Sequence, residues 1–556
     1  MKRRILTISI LAAISHQANA FRFDTDGDFK IRWDNTVKFN VSSRVTKADK
    51  DVYTPQAGAA WQVADDSTLS VDRSGAGLIS TRFDVLSELD IVWKENFGAR
   101  ISGAGWYDPQ YEDDNNDHPD DRRLSWASPS TPVGEYNHEA EDLHYAGGEL
   151  LDAFVFANFD IGDTSLGVRA GRHTIYWGQA ALTFGAVHGI GGAMAPIDFI
   201  KGISVPGTEA KELFMPTGKL SSVWQLSENL TLNAYYSYEF QAYRLPEDGT
   251  YWSPAEGLTE NSEFLTVIPG EDVRFGYKMR DYDDDEGDYG FNLQYYLEPL
   301  DLEASFVYIN YTDKNLHGLV ASAGSPNTPA DDLDAGVSYL GEAKWVFKSD
   351  IELFGVSLAK DIAGISVGAD IVFRKDTALG PNLRATLLQD VEDFDGVDPN
   401  NYLGPVGDTW HLTLNGVHFL NGDWGLWEGG TALVEATFSM LDSCNENCDL
   451  LDDRISEDRV VSNVGAIFRP TWYQVRSGWD LSLPMTVSYT IDGEKSPINF
   501  GGDEEGGSAS VGVQLDIDQK WLATLTYANR FGPVLAGTGG LLKDRDNIAF
   551  TIKRTF

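Results

Sequence analysis

Hydrophobic and polar residues alternate along much of the chain with a period of two. Over residues 29–42, six of the seven odd positions are apolar and none of the seven even positions is. Over residues 79–93, six of the eight odd positions are apolar, and alternation returns at 365–373, 481–489 and 511–517. Such alternation is typical of β-strands with one apolar and one polar face. The pattern predicts an all-β protein.

The connections between the predicted strands fall into two classes by length. The long class is acidic and includes residues 108–150. The short class contains the Gly, Pro, Asn, Asp and Ser residues that tight turns need. Its eight members are 95–98, 162–164, 227–229, 298–301, 361–364, 421–425, 476–478 and 518–520. Eight turns join sixteen strands into hairpins, and the first and last strands bring the predicted count to about 18, within a range of 16–18.

Short turns at one end and long loops at the other predict a transmembrane antiparallel β-barrel. Lipid cannot satisfy free backbone N–H and C=O groups, so a sheet that crosses a membrane must close on itself. A soluble sandwich or propeller is the alternative. The split in connection length favours the barrel, as do tryptophans near the predicted strand ends, namely Trp33, Trp93, Trp106, Trp177 and Trp521.

The two ends of the chain carry export and assembly signals. Three basic residues (2–4) precede an apolar run at 5–14, and Ala18 and Ala20 frame a cleavage site, which predicts a secretory signal peptide over 1–20 and one barrel over 21–556. A buried N-terminal helix is the alternative. The C-terminal residues Ile548, Phe550, Ile552 and Phe556 resemble the assembly signal of bacterial outer-membrane barrels, although Arg554 interrupts the pattern.

A Gram-negative outer membrane is therefore the expected location, with short turns in the periplasm and long loops outside. Expected partners are membrane lipid, lipopolysaccharide, the barrel-assembly machinery and an unknown small solute. With 43 Lys+Arg against 85 Asp+Glu and a formal charge of −42, the chain lacks the cations that nucleic-acid binding needs.

Two blocks of residues resemble a known family. The first comprises Gly171-Arg172, Trp177-Gly178, Pro196-Ile197-Asp198, Val205-Pro206-Gly207, Glu209 and Pro216, and the second comprises Asp350-Ile351 and Phe354-Gly355-Val356-Ser357. Both are similar to motifs of the domain-of-unknown-function 1302 family. The stretch that usually reads Asn-Pro-Val-Asp is Ala195-Pro196-Ile197-Asp198 here. The resemblance implies a Gram-negative outer-membrane barrel and supplies no substrate.

Charged residues recur on the predicted inner faces of the strands. A barrel of this size has room for an aqueous lumen, and buried unpaired charge is costly, so inward charges indicate water inside. Each residue taken alone fits a cross-strand ion pair of the wall equally well. The candidate lumen-facing residues are Lys30, Arg32, Lys38, Arg82, Asp84, Glu88, Arg100, Arg169, Arg459 and Arg469.

Residues 178–216 form a long connection that is poor in acidic residues and rich in Gly and apolar residues. We expect this segment to fold into the lumen and narrow it; packing over the barrel mouth is the alternative. Arg172 has outward parity and is expected at the rim. The candidate residues of the constriction are Trp177, Phe184, Pro196, Asp198, Lys201 and Pro206.

Few other residues indicate chemistry. Cys444 and Cys448 lie in a predicted external loop, where an oxidising compartment favours a disulfide. The acidic runs within 108–150 and 281–288 most simply keep loop tips solvated; loop-bound Ca²⁺ is a further option, and no metal site is assigned. Ser357 and Lys360 match Ser-x-x-Lys, but residues three apart on a strand point to opposite faces.

No catalytic motif is present, so the protein is not expected to be an enzyme, although a barrel hydrolase stays open. The leading hypothesis is a porin-like channel for small solutes, including amphiphilic ones. The alternative is a non-conducting receptor or adhesin, or a docking partner of a periplasmic carrier or export system.

Overall fold

The computed structural model describes residues 21–24, 27–53, 67–112, 115–118, 134–136, 138–208, 210–247, 249–253, 264–268, 273–277, 287–315, 318–323, 338–380, 402–451, 459–493, 498, 504–534 and 542–556. The predicted signal peptide, residues 1–20, lies outside these ranges.

The described chain is dominated by antiparallel strands. In chain order they are β1 (Phe21–Asp24), β2 (Phe29–Arg44), β3 (Leu78–Trp93), β4 (Phe97–Tyr107), β5 (Ala146–Ile161), β6 (Thr164–His173), β7 (Thr217–Ser227), β8 (Leu230–Ser237), β9 (Phe264–Ile268), β10 (Val273–Tyr277), β11 (Tyr289–Leu297), β12 (Leu302–Tyr311), β13 (Gly318–Ala323), β14 (Ser338–Val346), β15 (Ile351–Ile362), β16 (Ile365–Ala378), β17 (Val406–Asn421), β18 (Gly429–Glu446), β19 (Val460–Arg476), β20 (Trp479–Ser482), β21 (Met485–Asp492), β22 (Gly507–Ile517), β23 (Trp521–Phe531) and β24 (Asn547–Thr555).

Eighteen strands close into one antiparallel barrel. Each strand from β2 onward pairs with the next barrel strand, β20 and β21 together form one wall strand interrupted at Pro484, and β24 pairs with β2 to close the ring. The extra strand β1 pairs with β2 alone among the described strands. The predicted all-β barrel of about 18 strands is confirmed.

The eight predicted short turns all connect neighbouring barrel strands. We call that end of the barrel the short-turn end and the opposite end the long-loop end. The chain terminus lies at the short-turn end, where Asn35 and Phe556 exchange backbone hydrogen bonds of 2.7 and 2.9 Å. Arg554, which interrupts the C-terminal pattern, places its guanidinium 4.8 Å from the centre of the Trp521 ring.

The outer face of the barrel is apolar and exposed, as a lipid-facing surface requires. Its exposed side chains include Ile101, Val155, Leu220, Phe306, Val434 and Val511. Aromatic rings follow one another around each end: Phe29, Trp93, Phe97 and Phe159 at the short-turn end, and Tyr289, Tyr308, Phe354, Phe373 and Trp410 at the long-loop end.

Two of the five tryptophans assigned to strand ends do not lie on the outer face: Trp177 belongs to the connection between β6 and β7, and Trp106, the next-to-last residue of β4, faces inward. The connection between β6 and β7 covers Trp106, and both tryptophans are buried inside the barrel. The parity of β4 would have shown this for Trp106, which shares the inner face with Arg100.

Short helices and a second sheet occupy the long connections. The sheet has the strand order β13-β14-β10-β9. The α-helices are α1 (Lys50–Tyr53), α2 (His138–Ala140), α3 (Thr183–His188), α4 (Phe199–Ser204) and α5 (Ala210–Leu213). A π-helix spans Glu141–Tyr145, and 3-10 turns span Ser67–Ser70, Pro109–Tyr111, Gly191–Ala193, Glu298–Leu300, Gly422–Trp424 and Cys448–Leu450. None of the helices in the described ranges is long and apolar enough to cross a membrane.

Candidate functional site

The connection between β6 and β7, residues 174–216, lies inside the barrel, and we call it the lumen loop. Its base is held at Arg172, whose guanidinium forms an ion pair with Glu239 and donates a 3.0 Å hydrogen bond to the Pro216 carbonyl oxygen. Arg172 therefore lies beside the loop at the rim and joins the two points where the loop leaves and re-enters the wall.

The first half of the lumen loop crosses the barrel. Backbone N–H groups donate to two wall carboxylates: Gln179 to Asp370 of β16 at 2.7 Å, and Ala181 to Glu435 of β18 at 2.6 Å. The side chain of Leu182 lies directly over Gly465 of β19. Since β19 is eight strands from β7 in one direction and nine from β6 in the other, the loop reaches the opposite wall.

An apolar core forms between this half of the loop and the wall. Trp177, Ile190, Ala193 and Met194 are buried against side chains of four inner strand faces, namely Tyr235, Val307, Ile309, Leu353 and Val372. The glycines of the loop permit this close approach, because a Cβ at Gly191 would collide with the ring of Tyr176. Burial of this core holds the loop inside the lumen, where the apolar residues of 184–195 avoid water.

The second half of the loop is attached by ion pairs. Asp198 accepts a hydrogen bond from the Lys201 N–H at the start of α4 and pairs with Arg244 at 2.8 Å. Arg244 and Lys201 both contact Glu149 of β5. Burial alone would lower the pKa of Arg244, but the carboxylates of Asp198 and Glu149 raise it above its usual value. The four side chains form one charge-balanced cluster.

A third attachment reaches the strands that close the barrel. The Pro206 carbonyl oxygen accepts hydrogen bonds from Asn40 of β2 at 3.3 Å and from Thr551 of β24 at 3.4 Å. Close by, Lys38 of β2 lies 3.6 Å from Glu212 of the loop. The loop thus contacts both sides of the barrel seam as well as the opposite wall.

Open space remains on the short-turn side of the loop, against β3–β8. Two adjoining cavities of about 590 and 740 Å³ share the lining residues Arg100, Phe154, Arg169, Thr174 and Tyr176. Burial raises the pKa of Tyr176, so its hydroxyl stays protonated and donates to the Ala180 carbonyl oxygen at 2.9 Å. These cavities are bounded on one side by the inner faces of β3–β8, which we call the near wall, and on the other side by the loop.

The wall from β21 to β24 has a different character. Its inner face carries small hydroxyl side chains, which pair across strands as Thr486 with Ser510 and Ser488 with Ser508, at 2.7 and 2.9 Å. Thr524 and Thr526 of β23 continue the same face. The hydroxyl surface of β21–β23 lies next to the barrel seam, where β24 pairs with β2.

The predicted lumen-facing residues separate into three groups. In β2–β4, Arg32 pairs with Asp34 and Arg82 with Asp84 within one strand, Arg100 pairs with Glu88 across two strands, and Lys38 faces Glu212 of the loop. Lys30 pairs with Glu95 at the short-turn end, and Arg459 precedes β19 and donates to carbonyl oxygens of β18 at the long-loop end. Arg169 and Arg469 lie on inner strand faces.

The predicted constriction residues are placed in different parts of the loop. Trp177 belongs to the apolar core, and Phe184 lies in α3. The Pro196 carbonyl oxygen accepts from the Met215 N–H at 2.9 Å, which joins the two halves of the loop. Asp198 and Lys201 form the ion cluster, and Pro206 contacts the seam.

Sequence reasoning missed the wall residues that hold the loop. Asp370, Glu435, Asn415 and Arg244 are not among the predicted site residues. Strand parity alone would have placed Asp370 and Glu435 on inner faces. Their partners are backbone N–H groups of a distant segment, which no local pattern reveals.

Cys444 and Cys448 are joined by a disulfide at the long-loop end of β18. Within the described ranges, no three His, Cys, Asp or Glu residues group as a metal site would require. The acidic run at 281–286 lies outside these ranges, so loop-bound Ca²⁺ stays a prediction.

The family described as Protein of unknown function (DUF1302) matches residues 1–556. The chain belongs to this family. The resemblance noted in the sequence is thereby confirmed. In this DUF1302 protein the motif residues Arg172, Asp198 and Pro206 each make one of the attachments of the lumen loop. The motif residue Glu209 lies outside the described ranges.

None of the curated proteins matches the chain. Among solved structures, OccAB3 of Acinetobacter baumannii is similar at 9% identity and a TM-score of 0.41, covering 95% of this chain and 99% of that one. The outer membrane channel DcaP of Acinetobacter baumannii is similar at 9% identity and a TM-score of 0.37, covering 96% and 99%. OccD3 (OpdP) of Pseudomonas aeruginosa is similar at 10% identity and a TM-score of 0.41, covering 97% and 94%.

Proposed function

We propose that this DUF1302 protein is a porin-like channel in the outer membrane of a Gram-negative bacterium and that small solutes, including amphiphilic ones, cross through it. The observation that carries the proposal is the lumen loop, which crosses an 18-strand barrel and leaves cavities beside the near wall. A barrel of this size holds water unless it is filled. A loop inside it then sets the width and chemistry of the path.

The lining supports passage of solutes rather than a purely structural barrel. Charged side chains of the near wall, such as Arg100 and Asp90, line a cavity instead of packing into an apolar core. Hydroxyl groups lie on the inner face of β21–β23. The proposal assigns no enzymatic role, and it places the short turns in the periplasm, with lipid and lipopolysaccharide around the barrel.

The test is the conductance of the purified full-length protein in planar lipid bilayers. Stepwise conductance supports the channel, and deletion of residues 185–195 should raise the size of each step because it removes the part of the loop that crosses the lumen. Heat-modifiable migration on gels shows whether the deletion variant is folded. If the folded wild-type protein shows no conductance, the channel function is contradicted. If the deletion variant shows conductance steps of wild-type size, the role of the loop as a constriction is contradicted.

A docking function is the second candidate. The longest of the short turns, residues 422–428, carries Trp424 and Leu426 with 76% and 62% of their surface exposed. Exposed apolar residues at a barrel end fit either the lipid headgroup layer or a periplasmic partner. Bilayer silence together with retained binding to a periplasmic protein would favour this function over transport.

A further inference from the structure

Arg169 differs from the other arginines of the near wall. It lies on the inner face of β6, in register with Phe156 of β5 and Ser221 of β7. Within the described ranges, its guanidinium has no hydrogen-bond or ion-pair partner, and it lies 5.6 Å from the centre of the Phe154 ring. An arginine directed into a cavity without a partner retains five donors for a ligand.

Arg100, the next cation along the wall, is by contrast fully engaged. Its guanidinium lies 2.5 Å from Glu88, 3.4 Å from Asp152 and 3.7 Å from Asp90. Three carboxylates therefore compete for Arg100. A negatively charged ligand would be attracted to Arg169 instead.

The larger cavity has the charge that such a ligand requires. Its charged lining residues are Asp90, Arg100 and Arg169, and because Asp90 lies beside Arg100, Arg169 is the cation that remains for a ligand. The carboxylates of Glu88, Asp152 and Glu212 line the adjoining cavity of about 590 Å³ instead. The favourable position for an anion is thus beside β6 and β7, on the Arg169 side of the larger cavity.

The same cavity presents flat apolar surfaces. Phe154 and Phe156 point inward from β5; Phe156 is the register partner of Arg169, and Phe154 lies two residues before it. The wall has space for the Phe156 ring because Gly98 lies beneath it: a Cβ there would come within 2.5 Å of the ring. Two partly exposed rings in a wet lumen gain about 25 cal/mol per Å² when a ligand covers them.

We propose that Arg169, Phe154 and Phe156 form a binding site for a small carboxylate with a flat apolar body, such as an aromatic acid. The guanidinium receives the carboxylate through paired N–H donors, and the phenyl rings cover the apolar body. Uncharged polar residues on the remaining sides, including Ser165, Ser221, Gln225, Thr231 and Asn233, suit ring hydroxyl groups. This site rests on the proposed function, since it lies on the solute path.

The test measures benzoate binding to the full-length protein in detergent by isothermal titration calorimetry, with benzamide as the uncharged analogue. We expect benzoate to bind more tightly than benzamide. Arg169→Gln should weaken benzoate binding about tenfold or more and abolish the preference, and Arg169→Lys should restore part of it. Arg469→Gln, which removes the same charge from another inner face, is the matched control and should retain wild-type binding.

Equal binding of benzoate and benzamide, or equal weakening by the Arg169 and Arg469 substitutions, would overturn the site. Bilayer recordings separate this result from failure of the channel. A conducting protein without benzoate preference keeps the channel and rejects the site. A silent protein that shows the preference, lost in Arg169→Gln, keeps the site and rejects the channel.

Discussion

The carboxylate of Glu435 accepts a 2.6 Å hydrogen bond from the backbone N–H of Ala181, across the lumen from the strands that carry the lumen loop. The next N–H, of Leu182, donates to the other carboxylate oxygen at 3.1 Å. Both donors precede or begin the first turn of α3, where N–H groups have no partner within the helix. One wall carboxylate therefore holds the far end of the loop.

Glu435→Gln should loosen this end of the loop. The glutamine amide has one oxygen that can accept from Ala181 or Leu182, and its NH₂ group faces the other N–H and cannot accept from it. Each hydrogen bond to a charged group contributes about 1.5–3 kcal/mol. We expect larger or more frequently fluctuating conductance steps in planar bilayers. Asp516→Asn is the control, because it removes an inner-face carboxylate of β22 that does not hold the loop. Identical recordings for both variants would argue against this anchoring role.

Buried and exposed ion pairs of the barrel should differ strongly in their contribution to stability. Arg44 and Asp544 are almost fully buried and 3.2 Å apart, and Arg44 also donates to the Thr68 carbonyl oxygen at 2.7 Å. Arg44→Gln leaves Asp544 buried without this partner, which typically costs about 3–5 kcal/mol. Urea unfolding in detergent measures the change.

The comparison is Lys30→Gln at the short-turn end, where the pair with Glu95 is exposed. Solvent screens such exposed pairs, so this variant should unfold close to the wild type. Similar losses of unfolding free energy in the two variants would show that burial does not determine how much these ion pairs stabilise the barrel.

Acid should open the loop cluster that surrounds His144. Its ring stacks on Tyr111 at 4.4 Å, and its Nε2 lies 2.9 Å from Glu247. Burial lowers the pKa of His144 from 6.5 to about 3. The folded cluster keeps the imidazole neutral, whereas the opened cluster binds a proton below pH 6.5. The stability of the cluster is complete above that pH and falls steadily toward pH 3.

Hydrogen exchange, corrected for the intrinsic effect of pH, measures this loss over residues 138–147 at pH 7 and pH 5. His144→Gln cannot gain the proton and should flatten the difference. The exposed His138, also in this segment, provides the control, since His138→Gln should leave the pH dependence as it is. Equal protection of the wild type at both pH values would contradict the role of His144.

Reduction should affect the loop after β18 and leave the barrel intact. Cys444 and Cys448 are four residues apart, and a disulfide that closes so small a loop contributes at most about 2 kcal/mol. Intact-mass measurement should show a gain of two hydrogens on reduction. The double variant Cys444→Ser, Cys448→Ser should retain the wild-type unfolding midpoint, and a large drop would mean that this loop supports the wall.

The sequence by itself determined the barrel, its strand count and the ends at which turns and loops lie. Alternation decides which face of a strand meets lipid, as in β2, and a closed sheet follows because backbone groups in a membrane need partners. The turn at 95–98 and the apolar character of the lumen loop could also be predicted from the sequence, because composition and length are local properties.

Only the tertiary structure decided what the loop touches. Parity places Glu435 and Asp370 on inner faces, but it cannot bring them to the N–H groups of residues 179–182, because that contact depends on where the loop crosses. Trp106 differs, because the parity of β4 already places it on the inner face, and the tertiary structure adds that the loop covers it. For Arg169, strand parity predicted the inward position from the sequence. Its availability for a ligand depends on where the neighbouring carboxylates lie, which only the tertiary structure shows.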